Sequence, residues 1–101
     1  YPFGESSYHL ANILVDPDVI GRTRDEVQRE LDEGYGVECT TNYSPPVPHQ
    51  EYYREKYDVQ PGDYPVAEDL AARLLSLPIS PALDFPGDLD HILAAIRECV
   101  A

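Results

Sequence analysis

Between Ser6 and Asp16 the chain has its first apolar run, which covers residues 8–15 and is interrupted only by His9 and Asn12. A nearly continuous apolar run of this length, closed by turn residues, is typical of a buried strand. The Asp-Pro-Asp sequence at residues 16–18 supplies the turn. We therefore predict a largely buried first strand.

A helix is predicted to follow this strand. Thr23 precedes Glu26 by three residues, the spacing of a capping box, in which each side chain accepts a hydrogen bond from the other residue's backbone N–H. One helix face is apolar and carries Val27 and Leu31. We expect the helix to end at the glycines at positions 34 and 36, because glycine readily adopts the positive φ of a helix end.

Residues 37–43 alternate between inward and outward positions, which is the period-two pattern of a strand with one face in the core. We predict a second strand here. The prolines at positions 45, 46 and 48 disfavour a regular helix and cannot donate ladder hydrogen bonds, so an extended surface loop should come next. Residues 49–57 are predicted to form a short helical turn with an aromatic face. That face carries Tyr52, Tyr53 and Tyr57.

Two further helices are predicted in the last third of the chain. Pro65 suits the first turn of a helix whose apolar residues recur at spacings of three and four and which ends before Pro78. Leu77 and Ile79 flank that proline in either an edge strand or an extended passage. An apolar stripe predicts a last helix from about Pro86 to Cys99. The stripe consists of Leu89, Ile92, Leu93, Ile96 and Val100.

This order of elements predicts one α/β or α+β domain over residues 1–101, with a small sheet covered by helices. The pattern alone leaves open whether the first two strands are parallel neighbours or an antiparallel pair with a third strand between them. The chain starts with Tyr1 instead of methionine, which suggests a processed piece of a longer protein or the removal of a tag.

The net charge of the chain argues against some classes of binding partner. Nineteen acidic residues against seven basic ones give a formal net charge of −12, which should repel nucleic acid and anionic membrane surfaces. No apolar run approaches the roughly 20 residues that span a bilayer, and no secretory leader is visible. We therefore expect a cytoplasmic protein that binds neither nucleic acid nor a membrane.

The cysteines and histidines do not predict a metal site. Cys39 and Cys99 are too few, and their spacing is too plain, to define a zinc site or a disulfide framework, and we expect both to be buried thiols. His9 and His91 have no partner at a metal-ligand spacing.

Three short blocks occur in a specific order. Residues 42–49 read Asn-Tyr-Ser-Pro-Pro-Val-Pro-His, residues 62–68 read Gly-Asp-Tyr-Pro-Val-Ala-Glu, and residues 75–78 read Leu-Ser-Leu-Pro. With the opening at residues 6–10, an Arg24-Asp25 helix start and Gly-Val-Glu at 36–38, this series resembles the C-terminal small domain of the DegT/DnrJ/EryC1/StrS family. Those enzymes use pyridoxal phosphate (PLP) to aminate nucleotide-linked keto sugars.

The resemblance implies a small, mainly antiparallel sheet and a homodimeric full-length enzyme with an amino acid as nitrogen donor. It also implies that the lysine holding PLP lies in a large upstream domain absent from this chain. The sequence's only lysine, Lys56, is flanked by charges and tyrosines, so we expect a solvated ammonium group. We therefore expect this chain alone to carry no catalytic or PLP-binding residue and to be non-catalytic.

The same resemblance points to Asn42, Tyr43 and His49 as substrate-binding residues. In the family this loop usually reads His-Tyr, then prolines, then Leu-His; here Asn42 replaces the first histidine, Tyr43 matches, and Pro48-His49 replaces Leu-His. The alternatives are that Tyr43 packs in the core and that His49 is a loop-capping or surface residue.

The competing hypothesis for the whole chain is a stand-alone, non-catalytic domain that binds a protein partner or a nucleotide sugar. A piece of a larger enzyme should expose an apolar patch where the large domain docks, whereas an independent module should not.

Overall fold

The computed structural model describes residues 4–84 and 86–101; Tyr1, on which the expectation of a processed piece rests, lies outside them. The elements in chain order are β1 (Ala11–Leu14), α1 (Pro17–Ile20), α2 (Arg24–Tyr35), a 3-10 turn (Val47–His49), α3 (Glu51–Tyr57), α4 (Pro65–Arg73), β2 (Leu74–Leu77) and α5 (Gly87–Val100). The structure is a small α/β domain, as predicted.

The two strands of the described chain form an antiparallel pair, with Ala11 opposite Leu77 and Leu14 opposite Leu74. This confirms the small antiparallel sheet. The prediction that the first strand is largely buried is wrong, because the four side chains of β1 alternate between half-buried and exposed. This alternation means that only one of its faces contacts the core.

Residues 37–43 do not form the predicted strand. Their pairing with β2 is a single bridge, in which Thr40 N donates to Ser76 O at 3.0 Å and Ser76 N donates to Thr40 O at 2.7 Å. The backbone before the bridge has other partners: Val37 N donates to Leu31 O at 2.8 Å, and Gln28 Nε2 donates to Cys39 O at 2.9 Å. These contacts to α2 prevent a longer ladder.

Helix α2 begins and ends as predicted. Thr23 N donates to Glu26 Oε2 at 2.7 Å and Glu26 N donates to Thr23 Oγ1 at 3.3 Å, which completes the capping box. Gly36 follows the helix with φ of 66°. Hydrogen bonds from the backbone and hydroxyl of Thr23 lower the pKa of Glu26, because they favour the ionised carboxylate.

Helix α4 ends at Arg73, and β2 takes up the next four residues. The strand therefore lies before Pro78 and does not extend across it to Ile79, in keeping with the inability of proline to donate a ladder hydrogen bond. None of the helices in the described residues is long and apolar enough to span a bilayer.

One core cluster joins α2, α5 and β2. Its fully or nearly fully buried members are Val15, Val27, Leu31, Val37, Leu75, Ile92, Ala95 and Cys99. The predicted burial of Cys99 is confirmed, whereas Cys39 is only half-buried and packs beside the cluster. Burial raises the pKa of both thiols, which makes them poor nucleophiles.

Candidate functional site

The candidate site residues lie on the segment that leaves the core after the Thr40 bridge. This segment turns at residues 42 and 43, passes through the 3-10 turn and enters α3. Its Asn42–Tyr43 and Ser44–Pro45 peptide bonds are cis. No residue between 40 and 70 belongs to the described core cluster, so the segment lies outside the core.

Asn42 and Tyr43 stand at the start of this segment. Asn42 is half-buried, and its Nδ2 donates a hydrogen bond to Thr40 Oγ1 at 2.9 Å, which fixes the amide relative to the bridge. Tyr43 is 61% exposed. The alternative in which Tyr43 packs in the core is therefore wrong, and its hydroxyl can reach a ligand or another domain.

His49 stands at the other end of the segment and is not a surface histidine. Only 14% of its side chain is exposed, and its Nε2 lies 3.4 Å from Glu68 Oε1. That nitrogen is fully buried, yet it makes no hydrogen bond of acceptable geometry with the described residues. His49 is thus fixed by packing and by the nearby carboxylate.

Glu68, on the first turns of α4, was not among the residues that we singled out. Its Oε1 accepts a hydrogen bond from Gly62 N at 2.7 Å, and its Oε2 accepts one from Tyr64 N at 2.9 Å. The bond from Gly62 is the largest cause of a lowered Glu68 pKa, and the proximity of His49 contributes in the same direction. The signal was visible in the sequence, since this glutamate ends the second block.

The structure therefore brings His49 of the first block against Glu68 of the second block. Asn42 instead contacts Thr40, whose backbone pairs with Ser76 of the third block. The three blocks, separate in sequence, are in this way linked through side-chain and backbone contacts.

Beside His49 lies an exposed apolar region formed by two adjoining clefts. One has a volume of about 300 Å³ and the other of about 460 Å³, and Tyr64 lines both. We call this region the aromatic surface. It consists of Val47, Pro48, Tyr53, Tyr57, Tyr64, Pro65, Val66, Ala67 and Leu70, together with Val59, which is itself buried.

The aromatic surface confirms the expected aromatic face of α3. The rings of Tyr53 and Tyr57 are stacked with centroids 6.4 Å apart, and Tyr52 meets Tyr53 edge to face at 5.1 Å. Exposed apolar patches of this kind mark a contact with another protein, a membrane or a ligand.

The residues present do not fit a PLP site. A Schiff-base lysine needs a desolvated or otherwise activated amine within a cofactor pocket, whereas Lys56 is exposed, donates to Tyr52 Oη at 3.1 Å and lies over the rings of Tyr52 and Tyr57. The part of the chain that the structure describes also contains no group of three or more histidine, cysteine or acidic side chains that could hold a metal ion.

Comparison with known proteins assigns the family. The profile of the DegT/DnrJ/EryC1/StrS aminotransferase family matches residues 3–97. The chain belongs to this family. The resemblance carried by the three blocks is thereby confirmed.

Individual relatives match the chain almost from end to end. It is 34% identical over 97 residues to the erythromycin biosynthesis sensory transduction protein EryC1 of Saccharopolyspora erythraea, covering 96% of this chain and 24% of the relative. It is 30% identical over 97 residues to the spore coat polysaccharide biosynthesis protein SpsC of Bacillus subtilis, with the same coverage of 96% and 24%.

A third relative has an enzyme name. The chain is 32% identical over 100 residues to the UDP-4-amino-4-deoxy-L-arabinose--oxoglutarate aminotransferase of Shewanella sediminis, covering 92% of this chain and 24% of that protein. The chain thus spans about a quarter of the length of these family members.

Proposed function

We propose that this chain is the C-terminal domain of a PLP-dependent aminotransferase that aminates a nucleotide-linked keto sugar with an amino acid as nitrogen donor. The observation that carries the proposal is the family match over residues 3–97, combined with relatives about four times as long. One of those relatives is named as an aminotransferase of a UDP-linked sugar.

In this proposal the chain alone is non-catalytic. Lys56 does not fit a Schiff-base role, so the PLP lysine and the groups around the cofactor belong to a large domain outside this chain. The complete protein would be a cytoplasmic homodimer, in which the small domain closes the site, excludes water and adds substrate contacts.

The aromatic surface supports the proposal that another domain covers this face of the chain. The radius of gyration of the Cα atoms is 15.7 Å, whereas a self-contained domain of this length has about 13 Å. The segment with the aromatic surface lies outside the core cluster and so contributes to this extension. We propose that the large domain packs on this surface and thereby brings residues 42–49 to the substrate.

The substrate-binding residues in this proposal are Asn42 and Tyr43, which contact the substrate, and His49, which positions the segment that carries them. The exposed phenol of Tyr43 would donate a hydrogen bond to a sugar hydroxyl or a phosphate oxygen, and the amide of Asn42, fixed by Thr40, would hydrogen-bond a second polar group. His49 shapes the far end of the same segment.

The first test is the size of the native protein, measured by immunoblotting source extracts with an antibody against this chain. The proposal expects a species several times larger than 11.3 kDa. A native species near that mass would overturn it and would favour the stand-alone binding domain.

The second test is amino transfer by the full-length protein, with nucleotide-linked keto sugars as acceptors and mass spectrometry of the products. Tyr43→Phe should lower kcat/KM by about tenfold, the effect of losing one hydrogen bond of about 1.4 kcal/mol. Tyr8→Phe removes another exposed tyrosine hydroxyl and serves as the matched control with unchanged kinetics. Equal effects of the two variants would contradict the role of Tyr43.

A further inference from the structure

Residues 62–68 form the second block of the family resemblance, yet none of them is a proposed substrate contact. Their backbone makes a tight turn in which Gly62 has φ of 91°, a conformation that favours glycine. Pro65 then opens α4, and Glu68 lies in the first turn of that helix. The hydrogen bonds of Glu68 indicate the structural role of this block.

The carboxylate of Glu68 contacts three separate points of the chain at once. It accepts hydrogen bonds from Gly62 N and Tyr64 N, at 2.7 and 2.9 Å, and its Oε1 is 3.4 Å from His49 Nε2. We call Glu68, Gly62, Tyr64 and His49 the Glu68 cluster. Tyr64 has no side-chain cap of its own on α4, so Glu68 also satisfies an amide at the helix start.

The cluster joins the two ends of the loop region. Residues 50–61, including α3, lie between His49 and the turn at Gly62, and the cluster brings the start and end of this stretch together at α4. The imidazole is 14% exposed and its Nε2 is fully buried on the side of Glu68. That nitrogen therefore faces the protein's own carboxylate and not the solvent.

We infer that Glu68 is a positioning residue, which holds His49 and, through it, the candidate substrate-binding segment 42–49 against α4. The inference deepens the proposed function and rests on it, because the segment matters for catalysis only if substrate binds there. In this view His49 acts through its packing at Glu68 and not as a free donor to an anionic ligand.

Both the charge and the length of Glu68 are needed for this arrangement. Glutamine would keep one acceptor oxygen but would present an NH₂ group to one of the two backbone N–H donors. Aspartate would keep the charge but would be one methylene shorter. Both Glu68→Gln and Glu68→Asp should therefore release part of the cluster.

The experiment uses hydrogen exchange of the full-length protein, followed by mass spectrometry of peptides covering residues 44–64. Glu68→Gln should accelerate exchange in this region, including the Gly62 and Tyr64 amides, by about tenfold, since each lost charge-assisted bond is worth about 1.5 kcal/mol or more. Asp69→Asn is the matched control, because Asp69 is exposed and pairs with Arg73 instead. Equal exchange in both variants would overturn the inference.

Kinetics separate positioning from a general loss of fold. A smaller folded fraction lowers apparent kcat and leaves KM unchanged, whereas a displaced substrate-binding segment raises KM. We expect Glu68→Gln to raise KM for the nucleotide sugar about tenfold or less with kcat nearly kept. If Glu68→Gln does not fold, Glu68→Asp should give the same exchange and KM changes. Unchanged KM in a folded variant would overturn the inference.

The two proposals fail in different ways. Absence of amino transfer in the wild-type protein would overturn the proposed function. The role of the Glu68 cluster in substrate binding would then be overturned with it. Normal amino transfer in the wild-type protein, together with exchange that Glu68→Gln leaves unchanged, would overturn only the role assigned to Glu68.

Discussion

Arg24 shows how a single side chain can connect distant parts of this small domain. Its side chain is 10% exposed, and Nη1 donates to Ala71 O at 3.0 Å and to Leu74 O at 2.9 Å. These carbonyls belong to the end of α4 and the residue after it, where helix carbonyls lack intrahelical partners and a positive charge is favourable. The Arg24-Asp25 pair of the family resemblance therefore has a structural role.

Arg24→Ala should destabilise the protein by about 1.5–3 kcal/mol, because two partly buried carbonyls lose a charged donor. The measurement is the free energy of unfolding in urea. Arg29→Ala, at an exposed position of the same helix, is the control and should change the free energy by no more than about 0.5 kcal/mol. Equal losses would mean that the two carbonyls are satisfied without Arg24.

At the scale of elements, helix α2 depends on its capping box. Thr23→Ala removes the hydroxyl that accepts from Glu26 N and should cost about 1 kcal/mol in free energy of unfolding. Thr23→Ser keeps the hydroxyl and should stay near the wild-type value. A serine variant as unstable as the alanine variant would point to the lost methyl group instead of the cap.

The same box predicts a pH dependence. The folded-state pKa of Glu26 is lowered from its ordinary value of about 4.5, first by the Thr23 hydrogen bonds and further by Arg22 and Arg29. A lowered folded-state pKa adds stability that is complete above the ordinary value and is lost as pH falls through the lowered one.

The stability difference between wild type and Glu26→Gln should therefore stay constant well above pH 4.5 and shrink as the pH falls from about 4.5 through the lowered folded-state pKa. Urea unfolding at several pH values measures it. Glu33→Gln, exposed near the other end of α2, controls for the loss of one negative charge. A difference that grows on acidification would contradict the sign of the argument.

The elements also show which features a sequence can predict. The starts and ends of α2 and the existence of α3, α4 and α5 were predictable, because caps, prolines and apolar stripes act over a few residues. The alternation of residues 37–43 predicts a strand that does not form, because only Thr40 pairs with β2 while its neighbours form hydrogen bonds with α2. Glu68 ends the second block and is visible there, but its contact with His49, nineteen positions earlier in the printed sequence, is not encoded by any local pattern.

For the whole molecule, the buried core and the aromatic surface are separate. The core holds α2, α5 and β2 together, whereas Tyr57 in the aromatic surface is 62% exposed. Its side chain therefore adds little to the stability of this chain by itself. If a large domain covers it, as we propose, the same side chain becomes a buried interface residue, and tyrosines in such positions often dominate binding energy.

Tyr57→Ala should thus have different effects in two proteins. In the 101-residue chain it should change the free energy of unfolding by no more than about 0.5 kcal/mol. In the full-length protein it should weaken domain packing by about 1–2 kcal/mol or more, measured as a lower urea midpoint and faster proteolysis between the domains. Val19→Ala, at an exposed position of α1 outside the aromatic surface, is the control. A Tyr57→Ala effect that is equally small in both proteins would place the large domain on another face.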